Sequence, residues 1–463
     1  MPDVGHLLRR RSLTHPLAIL VLTIGVVTGC ATAADEPASG IGPGAGGPAG
    51  DWQQCGDGVE CTTLDVPADW ADPEGARISL AVARRPATSG ASRGVVLANP
   101  GGPGASGVDW LARTGDLAGI GADFDLVSWD PRGVGASTGL ECGGVGGANG
   151  SEVHRLPTTG PQAEDTAEAV ADFVAACAAG SPMLVDHLGT EQGVADMDAV
   201  RAAVGADEVD VVGFSYGTYL GLAYARAYPE RVRTLVLDAV VNPADTLEGL
   251  LVAQAIAMEA ALGEVLADDP GLWDRAAART DPTTLAFAAI AASYDTTSLA
   301  RLPDALSSAA AGDDTALVAT ADRYFGAASF PAYLGTLCAD LERPTDAASQ
   351  AAMADRLSAA APRLGAAVAG EVAACAVWPV ANGRRWIPET PPGVPVLLIA
   401  GTGDVATPPE LARSVADELT GSVLVVREGG GHVSLGRSGC VANLVTRLLI
   451  DGTLPTDPTT CPR

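Results

Sequence analysis

Residues 213–217, Gly213-Phe214-Ser215-Tyr216-Gly217, set a hydroxyl nucleophile between two glycines. An apolar run, residues 209–212, precedes them, and a helix-like run, residues 218–228, follows. A strand that turns sharply into a helix around Gly-x-Ser-x-Gly lifts the serine above a sheet, where its Oγ can attack a carbonyl. A serine hydroxyl is a weak nucleophile until a base takes its proton. In this arrangement an acid and then a histidine follow the serine in chain order. His432, in Gly429-Gly430-Gly431-His432, meets that order, whereas His154 and His187 precede Ser215. Asp404, in Gly401-Thr402-Gly403-Asp404, directly follows the apolar run 396–399. It would hold the imidazole in the right tautomer and stabilise its charged form. Asp238, after the apolar run 234–237, is the competing acid.

Attack on a carbonyl also needs donors for the oxyanion that forms. One is expected from the backbone N–H after the nucleophile, at Tyr216. The other is expected from the loop Asn99-Pro100-Gly101-Gly102-Pro103-Gly104, where the Gly102 N–H is favoured. The same loop is not a phosphate loop: it lacks the Gly-Lys-Ser/Thr ending, and all 28 basic residues of the chain are arginine. Ser215 also excludes epoxide hydrolase and haloalkane dehalogenase chemistry, which would want aspartate at the elbow. With no Cys-x-x-Cys pair and so few histidines, no metal site and no cofactor are expected.

The elements that must position these groups are short apolar runs bounded by glycine and proline. Residues 78–82, 94–98, 125–129, 209–212, 234–237, 396–399 and 423–426 read as strands. Such continuous runs suit a mostly parallel sheet covered by helices on both faces, and their alternation with helical stretches gives an α/β fold. From 242 to 390 the strand rhythm stops, and an Ala-rich helical stretch is expected to insert as a lid over the site. The expected organisation is thus a core over 51–241 and 391–463 with a helical lid at 242–390.

The 463 residues carry 56 acidic and 28 basic side chains, a net charge of −28. Phosphate backbones would repel such a chain, so nucleic acid is not an expected partner. Arg9, Arg10 and Arg11 precede a short apolar run, residues 17–27, which reads as a signal peptide over 1–29. The run ends in Val27-Thr28-Gly29-Cys30, which resembles a lipobox, so Cys30 is the expected lipidation site. Residues 30–50 read as a flexible tether. The chain is therefore expected outside the cytoplasm, touching a membrane only through a lipid anchor, or secreted. Eight further cysteines suit disulfides in an exported protein. The expected pairing joins sequence neighbours: Cys55–Cys61, Cys142–Cys177, Cys338–Cys375 and Cys440–Cys461.

Three motifs together carry a resemblance: residues 99–104, the run Asp130-Pro131-Arg132-Gly133-Val134-Gly135-Ala136-Ser137, and residues 213–218. With them the chain resembles the α/β-hydrolase peptidases of the prolyl-aminopeptidase group, and among these the secreted tripeptidyl-aminopeptidase-like proteins. The segment 377–461 is similar to their C-terminal region, which carries the Asp and the His. One departure stands out. Prolyl aminopeptidases usually have His before Gly-Gly-Pro-Gly, and here the residue is Pro100. The resemblance implies release of short peptides, often tripeptides, from free N-termini through an acyl-enzyme. That activity needs an anion for the substrate ammonium, and Asp340 and Glu342 in the lid are the expected pair. Asp130 and Arg132 are expected to brace loops. Two other readings remain: a carboxylesterase or lipase-like enzyme with the same triad, and a non-catalytic envelope binding protein on a hydrolase fold.

Overall fold

The computed structural model describes residues 49–143, 161–326, 329–456 and 459–463. The expected signal peptide, Cys30 and nearly all of the tether lie outside the described residues, as does His154. The strands are β1 (Gln53–Gly56), β2 (Val59–Pro67), β3 (Arg77–Arg85), β4 (Val95–Asn99), β5 (Asp125–Trp129), β6 (Val209–Phe214), β7 (Val232–Asp238), β8 (Val396–Gly403), β9 (Val423–Gly430) and β10 (Thr459–Cys461). They form one sheet in the order β1-β2-β3-β5-β4-β6-β7-β8-β9-β10. The first three junctions are antiparallel, and every pairing from β5 to β10 is parallel. All seven runs expected as strands are strands. The first of them, β3, is antiparallel to its neighbours, and β1, β2 and β10 extend the sheet beyond them.

Alternate residues of the central strands enter two different cores, as a pleat of period two requires. Val211, Leu235, Leu237, Val396 and Leu398 face one core, and Val212, Val236, Leu397 and Ile399 face the other. Helices cover both faces. α1 (Gly107–Thr114) follows β4, α2 (Pro161–Gly180) and α3 (Thr190–Ala203) follow β5, and α4 (Tyr216–Ala227) follows β6. Between β7 and β8 come α5 (Leu247–Val265), α6 (Leu272–Ala277), α7 (Pro282–Ser293), α8 (Thr296–Ala311), α9 (Thr315–Gly326), α10 (Phe330–Asp340), α11 (Ala347–Ala360) and α12 (Gly365–Glu371). α13 (Pro409–Glu418) follows β8, and α14 (Gly439–Asp451) follows β9. β7 and β8 nevertheless lie side by side, with Leu235 opposite Val396. The sheet therefore closes as if the helical stretch were absent.

The helices begin where side chains can cap them. Thr246, Asp281, Asp295 and Asp346 each accept a hydrogen bond from a first-turn N–H, and Pro282 occupies the first turn of α7. In α5, Leu247, Leu250, Leu251, Ala255, Met258 and Leu262 are buried, the spacing of a single helical face. The four disulfides join Cys55–Cys61, Cys142–Cys177, Cys338–Cys375 and Cys440–Cys461, which is the neighbour pairing. Such a set suits a chain exported to an oxidising compartment. Among the described residues, no helix is long and apolar enough to cross a membrane.

Candidate active site

Ser215 stands between β6 and α4 with φ 55° and ψ −125°, a left-handed backbone that a side chain rarely adopts. The turn is tight. A Cβ on Gly213 would run into the Gly217 backbone, and one on Gly217 into the carbonyl of Asn99. The Ser215 N–H donates to the Asp238 carbonyl (3.0 Å), tying the elbow to the end of β7.

Asp404 lies just past the end of β8, and His432 lies just past the end of β9. His432 Nδ1 is 2.9 Å from both carboxylate oxygens of Asp404. The carboxylate can only accept, so Nδ1–H donates and Nε2 is left free to take a proton. Asp404 is 2% exposed. Burial alone would raise its pKa, but His432 and the N–H groups of Thr407 and Ala406 outweigh it and hold Asp404 below the usual carboxylate range. The rival acid, Asp238, does not partner the His432 ring. It accepts from the backbone N–H groups of Ser434 (2.9 Å) and Leu435 (2.6 Å), just beyond the histidine. Burial, partly offset by those N–H groups, pushes Asp238 up to about 6.

Tyr216 is the first residue of α4, so its N–H has no acceptor within the helix. The loop after β4 is packed against it. A Cβ on Gly101 would lie about 3.0 Å from both Ser215 Cβ and Tyr216 N. Gly102, Ser215, Tyr216 and His432 all line one cavity of about 450 Å³. Its roof comes from the helices between β7 and β8, including Leu250, Met258, Ile290 and Tyr333. The same helical stretch also touches the histidine. The His432 N–H donates to the Tyr294 carbonyl (2.9 Å), and the two rings meet edge-on at 5.5 Å.

The two acids expected in the lid part company. Asp340 lines the cavity and is buried, but both of its oxygens are engaged. It accepts from the Thr190 N–H (2.7 Å), the Thr190 hydroxyl (2.6 Å) and the Tyr216 hydroxyl (3.1 Å). Burial raises its pKa to about 6 against the pull of those donors. Glu342 is exposed, pairs with Arg385 at 2.9 Å and does not line the cavity. Two residues past the end of α10, its side chain has turned out to solvent. Arg132 does brace a loop, through a buried ion pair with Asp196 (2.7 Å) and the carbonyls of Ala68 and His187.

Glu371, at the end of α12, was not expected at the site. It is 7% exposed and lines the cavity. Its hydrogen-bond partner is the Tyr324 hydroxyl, which donates to one oxygen at 2.7 Å. Among the described residues it has no ion-pair partner, and burial pushes it up to about 7. A signal was present in the sequence. Glu371 is the single charged residue between Leu364 and Trp378, four positions before a half-cystine. An acid kept in so apolar a run calls for a reason.

A mostly parallel sheet whose elbow, acid and histidine stand at the ends of β6, β8 and β9 defines an α/β-hydrolase. Residues 361–461 match the family model described as TAP-like protein. Serine protease Hip1 of Mycobacterium tuberculosis is 30% identical, over 87% of this chain and 87% of its own. Carboxylesterase B of the same species is 30% identical over 96% and 98%. Tripeptidyl aminopeptidase of Streptomyces lividans is 28% identical over 89% and 86%. The chain belongs to this TAP-like family of α/β-hydrolases.

Proposed function

We propose that the protein is an exported serine aminopeptidase that releases short peptides, with tripeptides as the expected product, from free N-termini. Ser215 Oγ attacks the scissile carbonyl while His432 Nε2 takes its proton and Asp404 holds the imidazole. The Gly102 and Tyr216 N–H groups receive the oxyanion. His432 then protonates the leaving amine, and water repeats the sequence on the acyl-enzyme. The helical stretch 242–390 acts as a lid, and its roof limits how far a substrate extends past the scissile bond.

One observation carries the aminopeptidase reading over simple ester hydrolysis. Glu371 is a buried carboxylate on the cavity wall, hydrogen-bonded to Tyr324 and without an ion-pair partner among the described residues, although exposed Arg323 lines the same cavity. Burying a charge without a partner is costly, so a site that keeps one invites a cationic ligand. The ammonium of a free peptide N-terminus fits that demand. The test compares a tripeptide anilide with its N-acetylated form. Acetylation should cut kcat/KM roughly ten- to a hundredfold, the worth of a charge-assisted contact. Glu371→Gln should remove most of that difference. Equal rates on both substrates with the wild-type protein would sink the aminopeptidase reading.

A carboxylesterase is the second reading, favoured by the relative of that name and by the apolar roof. Equal rates in the same experiment would promote it.

Cys30 is the proposed lipid anchor. Mass spectrometry of the cell-associated protein should find the mature N-terminus at a lipid-bearing Cys30. An unmodified terminus further along would mean simple secretion.

A further inference from the structure

α10 touches both sides of the oxyanion hole. At its N-terminal end the Ser329 N–H donates to the Gly104 carbonyl (2.8 Å), and the Ser329 hydroxyl donates to the Gly133 carbonyl (3.0 Å). Gly104 has φ +86°, and a Cβ there would press on the Ser329 carbonyl and on Tyr333 N. The helix backbone therefore lies directly on the loop that carries Gly102. At its C-terminal end Asp340 accepts from the hydroxyl of Tyr216, the residue that follows the nucleophile. Thr190 joins the same cluster, bonded to Asp340 and to the Tyr216 hydroxyl. An eleven-residue helix is about 16 Å long, and it links the Gly104 carbonyl at one end to the Tyr216 hydroxyl at the other.

The far end of α10 is itself held. Cys338 is bonded to Cys375, and buried Arg343 donates to the carbonyls of both half-cystines and of Val380. Thr336 is tied to the Leu188 carbonyl (3.2 Å). A helix anchored in this way cannot shift without moving both donors.

We propose that α10 is a strut for the oxyanion hole, and that Asp340 is a positioning residue that sets Tyr216 rather than a receptor for the substrate ammonium. The inference rests on the proposed roles of Ser215, Gly102 and Tyr216. Oxyanion donors stabilise the transition state only when held near 3 Å from the forming charge. Fixing the Tyr216 side chain at its hydroxyl fixes the backbone from which its N–H projects. Both oxygens of Asp340 already accept hydrogen bonds, whereas Glu371 is engaged at one oxygen.

The experiment measures kcat and KM for Asp340→Asn, Tyr216→Phe and the double variant. Two substrates are used: a free-amine tripeptide anilide and p-nitrophenyl butyrate, which has no amine. Both single variants should lose kcat on both substrates by a similar factor, roughly ten- to a hundredfold, with KM for the peptide little changed. The double variant should be no worse than the poorer single, because the two residues act as one unit. A loss confined to the free-amine peptide and expressed in KM would overturn the strut and make Asp340 an ammonium receptor. Unchanged kcat in Tyr216→Phe would also overturn it. That variant keeps the ring packing and removes only the hydroxyl, so it decides the matter even if Asp340→Asn does not fold. Covalent labelling of Ser215 by a fluorophosphonate separates this inference from the functional reading beneath it. Slowed labelling in the variants supports the strut. No labelling of the wild-type protein would remove the serine-hydrolase reading, and the strut with it.

Discussion

Three consecutive N–H groups after His432 are shared between two buried carboxylates. Val433 donates to Asp404 (3.3 Å), and Ser434 and Leu435 donate to Asp238. Val433 itself has φ +70°, a strained backbone that persists only where its surroundings hold it. The two acids thus divide the work: Asp404 faces the ring, and Asp238 holds the loop that presents it. Ser215→Ala should abolish turnover and covalent labelling, and His432→Ala should be comparably severe. Asp404→Asn should cost on the order of ten thousandfold in kcat, because the wrong tautomer is then favoured. Asp238→Asn should cost far less, and labelling of Ser215 should persist, since the His432–Asp404 pair is left intact. Losses at Asp238 equal to those at Asp404 would reverse the division. Chain order, with an apolar run before each, pointed to Ser215, His432 and two candidate acids, Asp404 and Asp238; that the His432 ring meets Asp404 and not Asp238 came from the structure. Burial was not legible. Asp340 and Glu342 differ by two positions in sequence, yet one is locked inside and the other faces water.

The strands were the easiest elements to read. A strand covered on both faces has no polar side, so residues 95–98 or 396–399 appear as unbroken apolar runs. β1 is exposed along its whole length, and β2 carries polar residues between its buried ones. Neither could appear as such a run, and β10 is only three residues long. The stretch between β7 and β8 was legible as helical but not in its arrangement. Its helices are rich in alanine, and a small side chain on every face leaves little contrast between the buried and exposed sides. α7, for example, is apolar nearly throughout and almost wholly buried. Which face of α12 met the cavity, and hence the role of Glu371, followed from packing against α5, α7 and α11 rather than from the residues of α12 alone. The same packing gives α10 its two footings, a relation between Gly104 and Asp340 that no spacing in the chain records.

At the scale of the whole molecule, the buried acids bind its stability and its activity to pH in opposite senses. Asp238 and Asp340 are raised to about 6 and Glu371 to about 7, chiefly by burial. In the unfolded chain these groups lose their protons near pH 4. Between about pH 4 and 7 the folded protein therefore holds more protons than the unfolded one, and stability must fall as pH rises through that window. Each group contributes on the order of 3 kcal/mol to that fall. A net charge of −28 adds self-repulsion in the same direction. Carboxylates held low, such as Asp404 and Asp295, oppose the trend only at more acidic pH. Thermal unfolding should accordingly show its highest midpoint near pH 4 and a drop of several degrees by pH 8. Glu371→Gln should flatten that drop, because an amide has no proton to lose. Activity should run the other way. An ammonium is drawn to ionised Glu371, so kcat/KM on free-amine peptides should rise through pH 7 and decline as the substrate amine itself deprotonates near pH 8. Acetylated substrates should keep the acid limb set by the His432 base and lack only the part that Glu371→Gln removes from the free-amine profile. A stability maximum at pH 8 would contradict the proton balance, and identical pH profiles for free and acetylated peptides would show that Glu371 meets no ammonium.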